Sequence, residues 1–172
     1  MRSKLVVKLK FLLVSGVLIL ASVAAMSLQE GRVIWLQLTK QCPACDLQGA
    51  NLSKLSLQGA NLRSSNLSHA NLSETDLSAA DLTAATLSQA DFSLAKLQAI
   101  DLTGATLNGA NLSGADLNQA KLQGANLTRS SLLFADLQGA NLEQADLSQA
   151  ETYGANWQGA NLTQTTLPSH QR

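Results

Sequence analysis

From Leu47 to Leu167 a large apolar residue recurs at every fifth position, and the phase does not slip. Of the twenty-five slots, twenty-two hold Leu; Phe92, Thr152 and Trp157 are the exceptions. Ala stands two residues before the slot in eighteen of the twenty-five repeats, and Asn or Asp one residue before it in seventeen. A period of five fits neither regular element. On an α-helix five residues overshoot a full circle by roughly 140°, which would smear the leucines over every face. On a flat strand an odd spacing sends successive leucines to opposite sides. The leucines are buried together only if the chain turns a corner once per repeat. Four short sides then close a square coil of about twenty residues, and coils stack at about 4.8 Å. The pattern therefore predicts an all-β solenoid of about six coils, a rod roughly 30 Å long.

Each column has its own physical task. The central Leu fills the axis, and the preceding Ala lets the walls approach. Asn or Asp suits the corner, since its short side chain bonds nearby backbone in turns. Gly recurs two residues after the centre (Gly49, Gly59, Gly109, Gly114, Gly124, Gly139, Gly154 and Gly159), where the turn calls for a permissive backbone. All sixteen charged residues between Asp46 and Leu167 fall in the three outward columns. That agrees with the assignment, because an unpaired charge in the two inward columns would carry a heavy desolvation cost.

The repeats Ala50-Asn51-Leu52, Ala60-Asn61-Leu62, Ala115-Asp116-Leu117 and Ala140-Asn141-Leu142 resemble the A(N/D)LxX motif of the pentapeptide-repeat family, and the resemblance covers residues 42–167. It implies a right-handed quadrilateral β-helix; the hand comes from the resemblance and not from the period. Four segments are expected: 1–26, 27–41, the repeats at 42–167, and a short polar tail at 168–172.

Residues 1–26 read as a secretory signal peptide: a basic start (Arg2, Lys4, Lys8, Lys10), the apolar run Phe11 to Met26, and small residues Ser22, Ala24 and Ala25 at A-x-A-like cleavage sites. The competing reading is an uncleaved membrane anchor over residues 11–26, for which sixteen residues is short. Ser27 and Glu30 have capping-box spacing, predicting a helix to about Thr39 that presents Leu28, Ile34, Trp35 and Leu38 and covers the apolar end of the rod. After Leu167 the tail is too short to cover the last coil: either that end tolerates exposure, aided by Thr165 and Thr166, or two molecules stack there as a homodimer.

Cys42 and Cys45 fall on a central slot and an alanine slot when the period is counted back, so both should face inward. Behind an export signal the simplest reading is a disulfide that fixes the helix to the rod. A redox-active C-x-x-C would need an exposed thiolate in a βαβ setting, and zinc would need ligands that His69 and His170, far along the rod, do not supply. No cofactor and no metal is expected. Ser, Thr, Asn and Asp form a repeating surface lattice without an inserted loop, so an enzyme is not expected either.

Charge bears on the choice of partner. Some members of the resembled family, the quinolone-resistance type, act on DNA gyrase as DNA mimics with an acidic stripe. Here the coils carry eleven acids and five bases, which sort onto the four sides as net −1, −2, −2 and −1. No side approaches a duplex, with one phosphate per roughly 1.7 Å. Gyrase modulation is kept as the alternative function, and no basic patch invites nucleic acid. The formal charge of the whole chain is zero, but without residues 1–26 eight basic residues face twelve acidic ones, leaving −4.

One region departs from the polar surface. Leu94, Leu133, Phe134 and Tyr153 occupy outward columns of a single side and form a candidate interaction patch. In the same coil Thr152 and Trp157 replace two central leucines on adjoining sides. If the pair conserves core volume, Thr152→Leu should overpack and destabilise. A Thr ladder for ice or crystal surfaces would need longer columns than Thr86–Thr106 and Thr83–Thr103. The sequence thus predicts an exported, non-enzymatic scaffold or protein-binding module with its protein partner unidentified, and the family resemblance implies the periplasm or thylakoid lumen as its compartment.

Overall fold

The computed structural model describes residues 28–169. The expected signal peptide, the Ser27 cap and His170 lie outside the described residues. The rest is one helix, α1 (Leu28–Thr39), followed by a coil that closes on itself every twenty residues. Parallel bridges join Gln41 to Asn61, Asp46 to Asn66, and so on along the repeats to Asp146 and Thr166. A turn every five residues and a bridge every twenty give four sides per circuit: the chain is a repeat β-helix. Each side is too short for an extended strand, and the bridges are isolated ones.

The corner follows from the repeat. In the first one, the Ala50 amide donates to the Leu47 carbonyl at 3.0 Å, closing a four-residue turn. Its third residue has positive φ, and the second does not, as a type II turn requires. The same column has positive φ throughout, also where it holds Ala79, Ala84, Ala99 or Gln89, and Gly104 joins the glycines noted above. The Asn/Asp column does what its chemistry allows. Asp81 Oδ1 accepts the Thr83 amide at 3.0 Å and its hydroxyl at 2.6 Å, and Asn51 holds Ser53 in the same way. Between coils an Asn stacked over an Asp donates to it, as Asn111 does to Asp91 at 3.0 Å and Asn156 to Asp136 at 2.9 Å. Where two acids stack, as at Asp116 and Asp136, Asn118 Nδ2 lies between them, 2.7 Å from one and 2.8 Å from the other.

The central leucines from Leu47 to Leu147 and the alanines beside them are buried in one continuous core, with Phe92 among them. Hydroxyls in the alanine column are satisfied there: Ser65 Oγ donates to the Leu62 carbonyl, Ser130 to Leu127 and Thr75 to Leu52. Thr152, in a central slot, is buried as well, but its hydroxyl has no hydrogen-bond partner. Trp157, on the adjoining side, is half-buried.

Helix α1 corrects the sequence reading. Its residue in the core is Leu36, with Val33 packed beside it. Leu28, Ile34, Trp35 and Leu38, expected to cover the rod end, face outward instead, with exposures of 85%, 36%, 55% and 64%. The polar flank of the docking face explains the choice. At the end of the rod the carbonyls of the first coil have no preceding coil to supply amides. Gln29 Nε2 donates to the Gln48 carbonyl at 2.7 Å and Arg32 Nη1 to the Asp46 carbonyl at 2.6 Å. The Lys40 ammonium reaches the Ser56 carbonyl. Gln29, Arg32, Val33 and Leu36 share one flank, and turning the opposite, wholly apolar flank inward would leave those carbonyls unsatisfied. At the far end Trp157, Leu162 and Leu167 are half-buried and Pro168 is buried, so the tail does not begin as a polar overhang.

Candidate interaction surface

The side that starts at Leu52 carries the candidate patch. Its N-terminal part is polar, with Lys54 and Glu74 paired at 3.5 Å, while Ser113, in the coil between Leu94 and Phe134, bonds Asn111 and Ser131. Towards the C-terminal end the same columns become apolar. Leu94, Phe134 and Tyr153 are exposed at 65%, 65% and 75%, while Leu133 is half-buried and contributes less surface than expected. Phe134 and Tyr153 meet edge to face, with ring centroids 5.7 Å apart and planes at 86°. Leu94 lies two coils below Phe134, about 10 Å away at the usual inter-strand spacing.

Glycine makes this ridge. The column reads Leu94, Gly114, Phe134, Gly154, so each large side chain has a glycine one coil above it. A Cβ on Gly154 would stand 2.5 Å from Phe134 Cδ1, and one on Gly114 would stand 2.8 Å from Leu94 Cδ2. The two side chains therefore lie along the rod over the glycines instead of projecting freely. The result is a low apolar strip fixed by packing. The sequence placed the hydrophobic residues on one side; the alternation with glycine in the same column was the signal for their posture.

Cys42 and Cys45 form a disulfide with Cα atoms 5.3 Å apart. Cys42 is buried and Cys45 half-buried, at the junction of α1 with the first coil. His69 sits in an outward turn position with positive φ. Among the described residues no three His, Cys, Asp or Glu side chains converge on a point.

The family model described as "Pentapeptide repeats", in eight copies, matches residues 45–83, 75–119, 90–132 and 110–149, more than half of the chain. The chain belongs to the pentapeptide-repeat family. Solved structures of pentapeptide-repeat proteins are similar to it. One is HetL, described as involved in heterocyst differentiation regulation in the cyanobacterium Nostoc sp. strain PCC 7120. It is 28% identical, with 75% of this chain and 87% of that one covered and a TM-score of 0.38. A pentapeptide-repeat protein of the Arabidopsis thaliana thylakoid lumen is 29% identical over 77% of this chain and 72% of its own, at a TM-score of 0.35. QnrB1, a plasmid-mediated fluoroquinolone resistance protein, is 21% identical over 76% and 81%, at 0.29. No curated protein matches the chain.

Proposed function

We propose that this pentapeptide-repeat protein is an exported, non-enzymatic scaffold that binds a protein partner through the Leu94–Phe134–Tyr153 strip. The rod is read as right-handed with about six coils, closed at its N-terminal end by α1 and stapled there by Cys42–Cys45. The observation that carries the reading is the strip itself: exposed aromatic and aliphatic side chains held in fixed positions on an otherwise polar lattice. Fixed aromatics lose little side-chain freedom on binding, which is why such residues serve as anchors at interfaces. Export rests on the basic start and apolar run of residues 1–26, followed by cleavage and residence in the periplasm or thylakoid lumen. The C-terminal end is read as a self-association surface. The gyrase alternative is less well supported, because the acids are spread over four sides and several are tied up with Asn, Thr or a cation of the neighbouring coil.

Photo-crosslinking in the host tests the partner site. A photoreactive phenylalanine analogue at position 134 or 153 should capture one and the same protein, and one at Gln119, on the next side, should not. Capture that is equal from position 119, or that persists for the analogue at 153 when Phe134 is Ser, would remove the strip from the function. Export is tested by the intact mass from separated cell fractions. A species shorter by about 24 to 27 residues in an extracytoplasmic fraction is expected, and a full-length cytosolic species would restore gyrase as the leading candidate.

A further inference from the structure

The outward flank of α1 is a second apolar surface, unrelated to the strip. Going round the helix at 100° per residue, Leu28, Gly31, Ile34, Trp35 and Leu38 fall within one arc, opposite the flank that Gln29, Arg32, Val33 and Leu36 turn to the rod. No charged side chain lies in that outward arc. An isolated surface leucine needs no explanation, but four large apolar residues covering one face of a twelve-residue helix do.

What covers this face is indicated by the chain that leads into it. From Phe11 to Leu28 run eighteen consecutive uncharged and mostly apolar residues, preceded by Arg2, Lys4, Lys8 and Lys10. Leu28, where that run ends, is the first member of the outward face of α1. The apolar run and the exposed face are thus continuous in sequence: the bilayer that takes up the first during export lies beside the second, and α1 stays with the chain there after residues 1–26 are removed. Trp35 is also in place, since the indole prefers the boundary between headgroups and acyl chains.

We infer that α1 is an interfacial membrane helix: its Leu28–Ile34–Trp35–Leu38 face lies in the surface of a phospholipid bilayer, and the β-helix stands with its N-terminal end on the membrane. One helix then does two things. Its inner flank supplies hydrogen-bond donors to the first coil, and its outer flank supplies the apolar contact to lipid. The basic side chains of α1 and the first coil are already engaged, Arg32 with Asp46, Lys40 with Ser56 and Lys54 with Glu74. The contact is therefore hydrophobic, works with zwitterionic lipid and resists salt.

Trp35 and Trp157 sit at opposite ends of the rod and provide the reporters. The exported chain lacking residues 1–26 is mixed with phosphatidylcholine vesicles whose acyl chains carry bromine, once as Trp157→Phe, leaving Trp35, and once as Trp35→Phe, leaving Trp157. Trp35 emission should shift to the blue and be quenched most by bromine near the headgroups, equally at low and high salt, with Trp157 unaffected. The pair Leu28→Ser and Leu38→Ser, both at exposed positions, should abolish most of that quenching and leave the Tm unchanged. Three results would each overturn the inference. In the first, Trp35 is neither shifted nor quenched in the presence of the vesicles. In the second, the serine pair leaves quenching intact. In the third, Trp35 becomes shielded from acrylamide without lipid as protein concentration rises, meaning that a second copy covers the face.

Discussion

At the scale of single residues the repeat tolerates departures unequally, and the reason is local. A hydroxyl in the alanine column lies beside a turn carbonyl and bonds it, as Ser65, Thr75 and Ser130 do. A hydroxyl in the central column points to the axis, where only apolar atoms gather, and Thr152 Oγ1 is left without a partner. A buried unpaired hydroxyl costs about 1–3 kcal/mol, so Thr152→Val should raise the Tm by a few degrees in a thermal melt. A lower Tm would mean that the hydroxyl is satisfied in solution. The turn column offers a second test. Ala84 has φ of 56°, and an L-residue there is disfavoured by roughly 1–2 kcal/mol, only part of which glycine gives back in chain entropy. Ala84→Gly is expected to stabilise by about 0.5–1 kcal/mol. Gly154→Ala should do the reverse, and more strongly, because the new methyl also displaces Phe134; loss of the Phe134–Tyr153 ring contact in the NMR spectrum would accompany the fall in Tm.

At the scale of elements the coil was legible and the helix only half so. The coil announces itself because one constraint, burial of a side chain every fifth residue, is repeated without a break from Leu47 to Leu147, and because the corner chemistry of Asn and Asp is local. The existence of α1 was legible too, as a segment outside the five-residue period that ends at Thr39 as expected, while the Ser27 cap lies outside the described residues. Its orientation was not. Both flanks carry large apolar residues, so hydrophobicity alone favours the richer one, Leu28, Trp35 and Leu38. The deciding interaction is long-range and polar: Gln29 and Arg32 reach carbonyls nineteen and fourteen residues away that no local pattern reveals. The strip of Leu94, Phe134 and Tyr153 was legible as a set of exposed hydrophobes, because an outward column cannot hide them, whereas Leu133 is partly covered. If satisfying the first coil is what holds α1, Arg32→Ala should loosen it. The bond is partly exposed, so its loss is expected to cost about 0.5–1 kcal/mol, with faster hydrogen exchange in α1 and no change in the later coils. Cys45→Ser acts at the same junction. Closing a loop of this size is worth about 2 kcal/mol in the chain-entropy model, and the loss should again be confined to α1 and the first coil, because each coil of a solenoid contacts only its neighbours.

At the scale of the whole molecule the charges form an outer lattice tied to the coil-to-coil stacking, and this sets the response to acid. The Asp76 carboxyl is held below its ordinary pKa by the Ser78 hydroxyl and amide, with partial burial opposing and Lys96 and Lys40 assisting. At Asp81 and Asp101 partial burial pulls upward, but it is outweighed by the hydroxyl and amide of Thr83 or Thr103 and by the cation of an adjacent coil, Arg63 at 3.1 Å or Lys121 at 3.4 Å. All three are therefore lower in the folded chain than in the unfolded one. Groups of this kind bind protons more readily when unfolded, so their stabilisation is complete above the unfolded value and is lost as pH falls through the folded one. The Tm should be nearly flat from neutral pH down to about 4, the ordinary aspartate value, and fall below it. Salt separates the two contributions. Turn bonds from Thr83 and Thr103 are local and insensitive to ionic strength, while the pairs with Arg63 and Lys121 are exposed and screened. In high salt the acid-induced fall in Tm should therefore persist in reduced form. Replacing Thr83 and Thr103 by Val should shrink it further, since the carboxylates would keep only their backbone amides. A fall that disappears entirely in salt would mean that the ion pairs, and not the Asx turns, tie the acidic lattice to the fold.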